Sequence, residues 1–233
     1  MATIRIFSGG APKEVFKRLL PDFKRETGHD ADFVFEVTKA LNDRLVAGET
    51  PDVLVLPTNI LDGYQKDGLA RAQGRVVFGV VGISVVVPKG AAKPDISTTE
   101  KVKQTLLASR RIGLASPGLT PSGTHLGKVF DRLGLTDPLR DKLLYRPALQ
   151  GGVELVTSGE ADLGLYPKSE VIMFDSLTVV GPLPPDIQLR TIYGGAVAMK
   201  AASPEAGAAF IRFMSALDKR QAWAEGGFDP PSA

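Results

Sequence analysis

Residues 3–56, TIRIFSGGAPKEVFKRLLPDFKRETGHDADFVFEVTKALNDRLVAGETPDVLVL, decide the fold class of this chain. Short apolar stretches rich in β-branched and aromatic residues alternate there with two segments of helical periodicity. Each helical segment ends at a glycine, Gly28 or Gly48, which is typical of helix ends. The apolar stretches are residues 4–7, 32–37 and 53–56. This order predicts parallel strands joined by crossover helices, the βαβ arrangement of an α/β fold.

The stretch from Val76 to Val87 is almost continuously apolar and longer than an ordinary strand. We interpret it as the end of one lobe and the crossing into another. A second α/β series follows, with helices predicted over 98–108, 124–133 and 152–158 and strands over 112–115 and 162–165.

The segment Gly181-Pro182-Leu183-Pro184-Pro185 interrupts all periodicity and suits a connection between lobes. A returning strand over 191–199 and a closing helix over 204–217 complete the predicted order. The predicted lobes are residues 1–82 with 188–233, and residues 83–187. Trp223 and Phe228 are expected to pack the end of the chain onto the first lobe.

Composition excludes several classes of function. Lys and Arg number 28 against 26 Asp and Glu, and without long basic runs this balance gives no electrostatic case for nucleic acid. The absence of cysteine excludes disulfides and thiolate metal sites. His29 and His125 are the only histidines, too few for a His-rich metal site. We therefore expect neither a metal nor a cofactor.

The N-terminal residues Met1 to Phe7 lead directly into a strand pattern, without the charged and apolar regions of a signal peptide. No apolar stretch reaches the roughly 18 residues needed to span a bilayer. The expectation from these features is a cytoplasmic monomer without membrane insertion. A periplasmic protein whose signal peptide has been removed fits the same sequence.

The most informative feature is a small, polar or glycine-rich turn immediately before a helix, which recurs four times. A helix N-terminus presents unpaired N–H donors and the positive end of the helix dipole, and therefore favours an anion. The alternative is that Ser8, Thr38 and Thr124 are ordinary helix caps. The four turns are Ser8-Gly9-Gly10, Val37-Thr38, Pro121-Ser122-Gly123-Thr124 and Leu149-Gln150-Gly151-Gly152.

Two motifs of nucleotide and ester chemistry fail on inspection. Residues 118–124 imitate a phosphate-binding loop, but Thr124 stands where the motif requires lysine. Residues 82–86 lack the final glycine of a serine-nucleophile elbow. Two other side chains stay open: His125 is either a proton carrier or a solvated residue, and Lys39 is either a ligand contact or a surface cation.

The order of these turns resembles the molybdate-binding proteins of ABC importers over nearly the whole chain. The resemblance implies the type II periplasmic-binding-protein fold, in which two lobes with mixed sheets and flanking helices are joined by two crossing strands. It further implies hydroxyl contacts from Ser8 and Thr38, a backbone contact near Ser122 and an N–H donor at Leu149. The matching stretches are 7–10, 35–48, 51–53, 115–117, 121–123, 159–164 and 208–228.

The family's last contact is a tyrosine before a Gly-Ser-Asp-like turn, and this chain departs from it. Pro167 occupies the tyrosine position, and Tyr166 lies one residue early. A shift by one residue reverses the direction of a side chain in a strand. Tyr166 stays a candidate contact, and the ligand is either a molybdate-like oxyanion or a small carboxylate.

The first functional hypothesis is a non-catalytic solute-binding protein that clamps one small anion between its lobes, with the membrane component of an ABC importer as partner if it is secreted. The candidate ligand contacts are Ser8, Gly9, Gly10, Thr38, Lys39, Ser122, Gly123, Thr124, Leu149, Gly151 and Tyr166. The rival is a cofactor-free isomerase of a small unsaturated polycarboxylic acid, similar to aconitate isomerase, with Lys39, His125 or Tyr166 as proton carrier. A third hypothesis is a ligand-sensing module that acts through a partner.

Overall fold

The computed structural model describes residues 1–146 and 152–231. Strands and helices alternate along these ranges. The strands are β1 (Thr3–Ser8), β2 (Asp30–Phe35), β3 (Val53–Pro57), β4 (Val76–Pro88), β5 (Ile112–Ala115), β6 (Leu143–Arg146), β7 (Leu163–Pro167), β8 (Leu177–Pro182) and β9 (Arg190–Val197). The α-helices are α1 (Lys13–Thr27), α2 (Thr38–Val46), α3 (Thr58–Lys66), α4 (Thr99–Ala108), α5 (Pro121–Arg132), α6 (Thr136–Leu139), α7 (Glu154–Thr157), α8 (Lys168–Val171), α9 (Pro204–Ser215) and α10 (Arg220–Glu225).

The chain divides into two compact units. Unit 1 comprises residues 1–80 and 191–233, and unit 2 comprises residues 81–190. The boundaries expected from the sequence lie within three residues of these. Strands β4 and β9 each continue from one unit into the other. The segment 181–185, expected to connect the lobes, instead begins with the last two residues of β8, so this prediction was wrong.

The sheet of unit 1 has the strand order β2-β1-β3-β9. β1 pairs in parallel with β2 and β3, as the βαβ pattern predicts, and β9 returns antiparallel to β3. Ser8 aligns with Phe35, and Pro57 aligns with Tyr193. The carboxyl ends of β1, β2 and β3 therefore meet at one edge of the sheet, together with Tyr193 of β9.

The core of unit 1 contains an aliphatic cluster and an aromatic cluster. The Phe16 ring stacks on Phe33 at 5.3 Å between centroids and meets Trp223 edge-on at 5.8 Å. The Trp223 ring meets Phe228 edge-on at 4.8 Å, which confirms that the end of the chain packs onto this unit. The buried members of the aliphatic cluster are Phe7, Leu41, Leu54, Leu56, Leu61, Tyr64, Ala70, Ala196 and Ala198.

The sheet of unit 2 has the order β4-β7-β5-β6, and β8 pairs with β4. β5 pairs in parallel with β6 and β7, while β7 and β8 are antiparallel to β4. Ala115 aligns with Arg146, and Leu114 aligns with Leu165, two residues before the end of β7. The carboxyl ends of β5, β6 and β7 thus meet at one edge of this sheet.

Strand β7 separates two apolar clusters of unit 2. Leu163 and Leu165 belong to a cluster that includes Leu126 and Phe130 of α5, whereas Tyr166 belongs to a second cluster with Leu155 of α7. Alternate residues of a strand point to opposite faces of the sheet, which explains this division. The direction of the Tyr166 side chain therefore follows from its register in β7.

Helix α5 begins at Pro121, three residues earlier than predicted. The Oγ1 atom of Thr120 accepts a hydrogen bond from the N–H of Gly123 at 3.0 Å and caps the helix. Proline is favourable at the first helical position because its missing N–H has no intrahelical acceptor there. The prediction treated Pro121 as part of a turn and missed this start.

Elements α3, β6 and β8 were not foreseen. Gly63 lies in the middle of α3, and a glycine inside a helix weakens the helical signal. β8 ends in Gly181 and Pro182, which are typical of turns. Their pairing with neighbouring elements stabilises all three, and such pairing has no local signature.

We predict that Asp52→Ala destabilises unit 1. The buried Asp52 carboxylate accepts hydrogen bonds from the N–H of Arg5 at 2.9 Å and from the N–H of Ser203 at 2.7 Å. Since both donors lose their acceptor, the free energy of unfolding should fall by about 3 kcal/mol in urea denaturation. The matched control is Asp22→Ala, whose carboxylate pairs with Arg25 at the surface and contributes less than about 1 kcal/mol. Equal losses in both variants would contradict the prediction.

Candidate functional site

The turn after β1 presents one buried hydroxyl at the edge of unit 1. Ser8 is fully buried, and its Oγ donates to the carbonyl oxygen of Gly9 at 2.8 Å. It does not cap α1, which begins at Lys13 without a side-chain cap. The N–H of Gly9 donates to the carbonyl of Val55 at 3.1 Å, so this predicted donor is used by the protein itself. The carbonyl of Gly10 accepts the N–H of Lys13 at 3.1 Å.

Tyr193 lies against this turn and was missed by the sequence analysis. A Cβ atom on Gly9 would lie 3.2 Å from the Tyr193 hydroxyl oxygen, so the absence of a side chain at Gly9 makes room for the phenol ring. The other side of the Tyr193 ring meets Phe228 edge-on at 5.9 Å. Its antiparallel pairing with Pro57 places Tyr193 at the edge, and only the long-range register shows this.

The second turn presents Thr38 but not Lys39. Thr38 opens α2, lies partly exposed and makes no side-chain hydrogen bond within the described ranges, so its hydroxyl is available to a ligand. The Lys39 side chain is 81% exposed, and its Nζ pairs with Asp43 at 2.8 Å. Lys39 is therefore a surface cation in this structure, the alternative that the sequence left open.

The third turn uses most of its polar groups internally. The Thr124 hydroxyl accepts the N–H of Gly118 at 3.0 Å, and Thr120 accepts the N–H of Gly123. The Ser122 hydroxyl lies 3.2 Å from that of Thr120. The N–H groups of the predicted donors Gly123 and Thr124 are both used inside the turn, by the hydroxyl and the carbonyl oxygen of Thr120. The N–H of Ser122 has no acceptor among the described residues, which leaves it as the backbone donor that this turn offers.

Gly123 is required by packing as well. A Cβ atom on Gly123 would lie 2.4 Å from the carbonyl oxygen of Ser116 and 2.6 Å from that of Ala115. Any side chain would push the first turn of α5 away from the end of β5. The glycine-rich turn is thus a close helix-strand contact, in addition to any role in binding.

The two predicted proton carriers of unit 2 are engaged inside the protein. Nε2 of His125 donates to the carbonyl oxygen of Ile187 at 2.8 Å. Tyr166 is 2% exposed, and its hydroxyl donates to the carbonyl of Gly152. Burial, together with the nearby carboxylate of Glu170, raises the pKa of Tyr166 well above its ordinary value. This buried position of Tyr166 supports neither a direct contact with a ligand nor a role in proton transfer.

Besides Tyr193, the residues Ser169 and Glu170 were not predicted from the sequence. Both lie in α8, directly after the carboxyl end of β7. The Ser169 hydroxyl is buried and has no hydrogen-bond partner in the described part of the chain. Glu170 is only partly exposed, and burial raises the pKa of its carboxyl group from 4.5 to about 7. The Gly-Ser-Asp-like turn noted after the tyrosine position was the signal that pointed to them.

Some predictions lie outside the described ranges. Leu149 and Gly151 belong to residues 147–151, so their role stays a prediction. Among the described residues no group of three or more His, Asp or Glu side chains is placed to hold a metal ion. In the same part of the chain no helix has the length and apolar character needed to cross a membrane.

Comparison with known proteins gives one family and several relatives. The model of the family described as "Bacterial extracellular solute-binding protein" matches residues 4–229. Aconitate isomerase of a Pseudomonas species is 28% identical over all of this chain and 90% of its own length. Molybdate-binding protein ModA of Haemophilus influenzae is 20% identical over 82% of this chain and 76% of its own length.

A solved structure shares the fold. The periplasmic molybdate-binding protein of Azotobacter vinelandii superposes with a TM-score of 0.81, at 17% identity, over 98% of this chain and 100% of that one. At this level of identity the similarity shows the fold, which is the expected type II periplasmic-binding-protein fold.

The raised pKa of Glu170 predicts a stability effect that depends on pH. The pKa of the Glu170 carboxyl group is about 7 in the folded protein and 4.5 in the unfolded chain. The group therefore contributes its full stability below pH 4.5, and this contribution is lost as the pH rises through about 7. Glu170→Gln removes the ionisation, so the variant should gain up to about 3 kcal/mol over the wild type at pH 8 and little at pH 5. Melting temperatures at both pH values measure this. A difference that does not change with pH would contradict the burial of the carboxylate.

Proposed function

Since this chain belongs to the family of bacterial extracellular solute-binding proteins, we propose that it binds one small anion, either a molybdate-like oxyanion or a small carboxylate. The observation that carries the proposal is the set of hydroxyl and N–H donors at the carboxyl edge of each sheet. In unit 1 these are Ser8 and Thr38, and in unit 2 the N–H of Ser122. Neither a metal nor a cofactor is part of the proposal.

Donors of this kind suit an oxyanion. An anion at a helix start accepts hydrogen bonds from N–H groups, and the helix dipole favours its charge. The buried Ser8 hydroxyl exchanges its present acceptor, the Gly9 carbonyl, for a charged oxygen, and hydrogen bonds to charged acceptors are the stronger ones. Lys39 is left out of the proposed site because its ammonium group is exposed and paired with Asp43.

We further propose that one protein molecule binds one anion. The relatives named molybdate-binding proteins support an anion as the class of ligand. The family description favours a place outside the cytoplasm over the cytoplasmic one expected from the N-terminus. We also propose that the protein is a monomer and delivers its ligand to the membrane component of an ABC importer.

Calorimetric titration tests the proposed binding. The panel is molybdate, tungstate, sulfate, cis-aconitate and trans-aconitate, and we expect one site for at least one of them. Ser8→Ala removes a hydroxyl donor and should lower the affinity for that ligand about tenfold. Ser215→Ala is the control, because its hydroxyl bonds to Arg212 of its own helix. No binding of any panel member would end the proposal, and equal affinity of the Ser8 variant would remove Ser8 from the site.

A second candidate function is isomerisation of a small unsaturated tricarboxylic acid. The full-length similarity to an aconitate isomerase favours it. The reaction needs a group that removes a proton from one carbon and returns it to another, next to donors that hold the carboxylates. Lys39, His125 and Tyr166 are all engaged elsewhere, whereas Glu170 has a pKa of about 7 and is the better candidate carrier.

Proton exchange in deuterated buffer separates the two functions. An isomerase should incorporate deuterium into cis- or trans-aconitate and interconvert them, as followed by proton NMR, and Glu170→Gln should abolish both changes. A binding protein should leave both acids unchanged even at equimolar protein. Exchange that persists in Glu170→Gln would exclude Glu170 as the carrier.

A further inference from the structure

Ser169 is a buried polar side chain, and Glu170, which is partly exposed, follows it directly in α8. Ser169 is 4% exposed, and its Oγ has no hydrogen-bond partner among the described residues. The Glu170 carboxylate makes neither a hydrogen bond nor an ion pair with any described residue. Buried polar groups in native proteins are paired almost without exception, because an unpaired one costs about 1–3 kcal/mol. The unpaired Ser169 hydroxyl therefore indicates a missing partner.

Their place in the fold indicates where that partner lies. Both residues follow directly on β7, whose carboxyl end meets that of β5 at one edge of the sheet of unit 2. The turn after β5 leads to Ser122, the N–H donor already placed at this edge. Ligands of α/β proteins bind at the carboxyl ends of parallel strands. Ser169 and Glu170 therefore lie at the same edge of the sheet as the proposed anion donor of unit 2.

Among the described residues, one titratable group faces Glu170 from the strands that pack against its helix. Helix α8 packs against β7 and β8. On β7 this group is Tyr166, on α8 itself Lys168 is the other charged residue, and β8 carries no titratable side chain. Burial alone raises the pKa of Glu170 to about 7. A neutral carboxyl group, which is a hydrogen-bond donor, is thus available near neutral pH.

We propose that Ser169 and Glu170 bind the anion together, the serine through its hydroxyl and the glutamic acid through the proton of its neutral carboxyl group. Binding then takes up one proton at pH 8, because an ionised Glu170 would repel the ligand. This rests on the proposed anion binding and deepens it. The pair favours ligands whose oxygens only accept hydrogen bonds, such as molybdate or a fully ionised carboxylate.

The wild-type protein provides the first test. Molybdate and trans-aconitate are titrated at pH 6.5, 7.5 and 8.5 in buffers of different ionisation enthalpy. We expect affinity to fall up to about tenfold between pH 7.5 and 8.5 and an uptake of close to one proton at pH 8.5, as linkage to one group requires. A constant affinity with no proton uptake would overturn the proposal. Failure of both probes to bind at every pH would instead count against the anion-binding function itself.

Two variants assign the effect to its residues. Glu170→Gln keeps a donor but cannot ionise, so its affinity should stay constant from pH 6.5 to 8.5. Ser169→Ala should bind about tenfold more weakly at each pH and keep the wild-type dependence on pH. A pH dependence of affinity that survives in Glu170→Gln would overturn the role of Glu170. Unchanged affinity in Ser169→Ala would overturn the role of Ser169 and assign its hydroxyl to an internal water.

Matched controls exclude a general loss of structure. Ser109→Ala removes a buried hydroxyl of the same unit that already bonds to the carbonyl of Thr105 at 2.9 Å. Glu154→Gln changes an exposed carboxylate on α7. Both should retain wild-type affinity and its pH dependence. Thermal melting of every variant confirms folding, and the proton uptake of the wild type does not depend on any variant.

Discussion

Hydrogen bonding between parallel strands determines which residues of this protein share an edge. In unit 1 the pairing of β1 with β2 and β3 brings together the turn at Ser8 and the start of α2. In unit 2 the pairing of β5 with β7 does the same for the start of α5 and for α8. Side chains far apart in sequence gain their common position from this pairing alone.

Many strands and helices were accessible from the sequence because they have local signatures. Period-two apolar stretches, glycines at helix ends and polar turns predicted β1, α1, β5 and the closing helix α9 with errors of a few residues. The long apolar stretch from Val76 to Val87 indicated two lobes, and the resemblance to molybdate-binding proteins named Ser8, Thr38 and Ser122. These residues are close to turns that the sequence displays directly.

The remaining features depend on contacts that no local pattern records. Tyr193 reaches the edge through its antiparallel register with Pro57, and the aromatic cluster around Phe16 joins residues from opposite ends of the chain. Tyr166 was named as a contact for its chemistry, yet its register in β7 turns it into the core. Donors that looked available, such as the N–H groups of Gly123 and Thr124, are used inside their own turn. Burial and pairing, rather than residue type, distinguish a candidate donor from a structural one.

The position of Trp223 gives the protein an optical label that belongs to one unit only. It is the single tryptophan of the chain, its indole stacks on Phe78 at 4.8 Å and its Nε1 donates to the carbonyl of Met214. Unit 2 holds Tyr145 and Tyr166 but no indole. Fluorescence excited at the red edge of protein absorption therefore follows the melting of unit 1 alone. Far-ultraviolet circular dichroism reports on both units. Melting curves from fluorescence and from circular dichroism should coincide if the two units unfold in one cooperative transition, and should differ if they unfold in two.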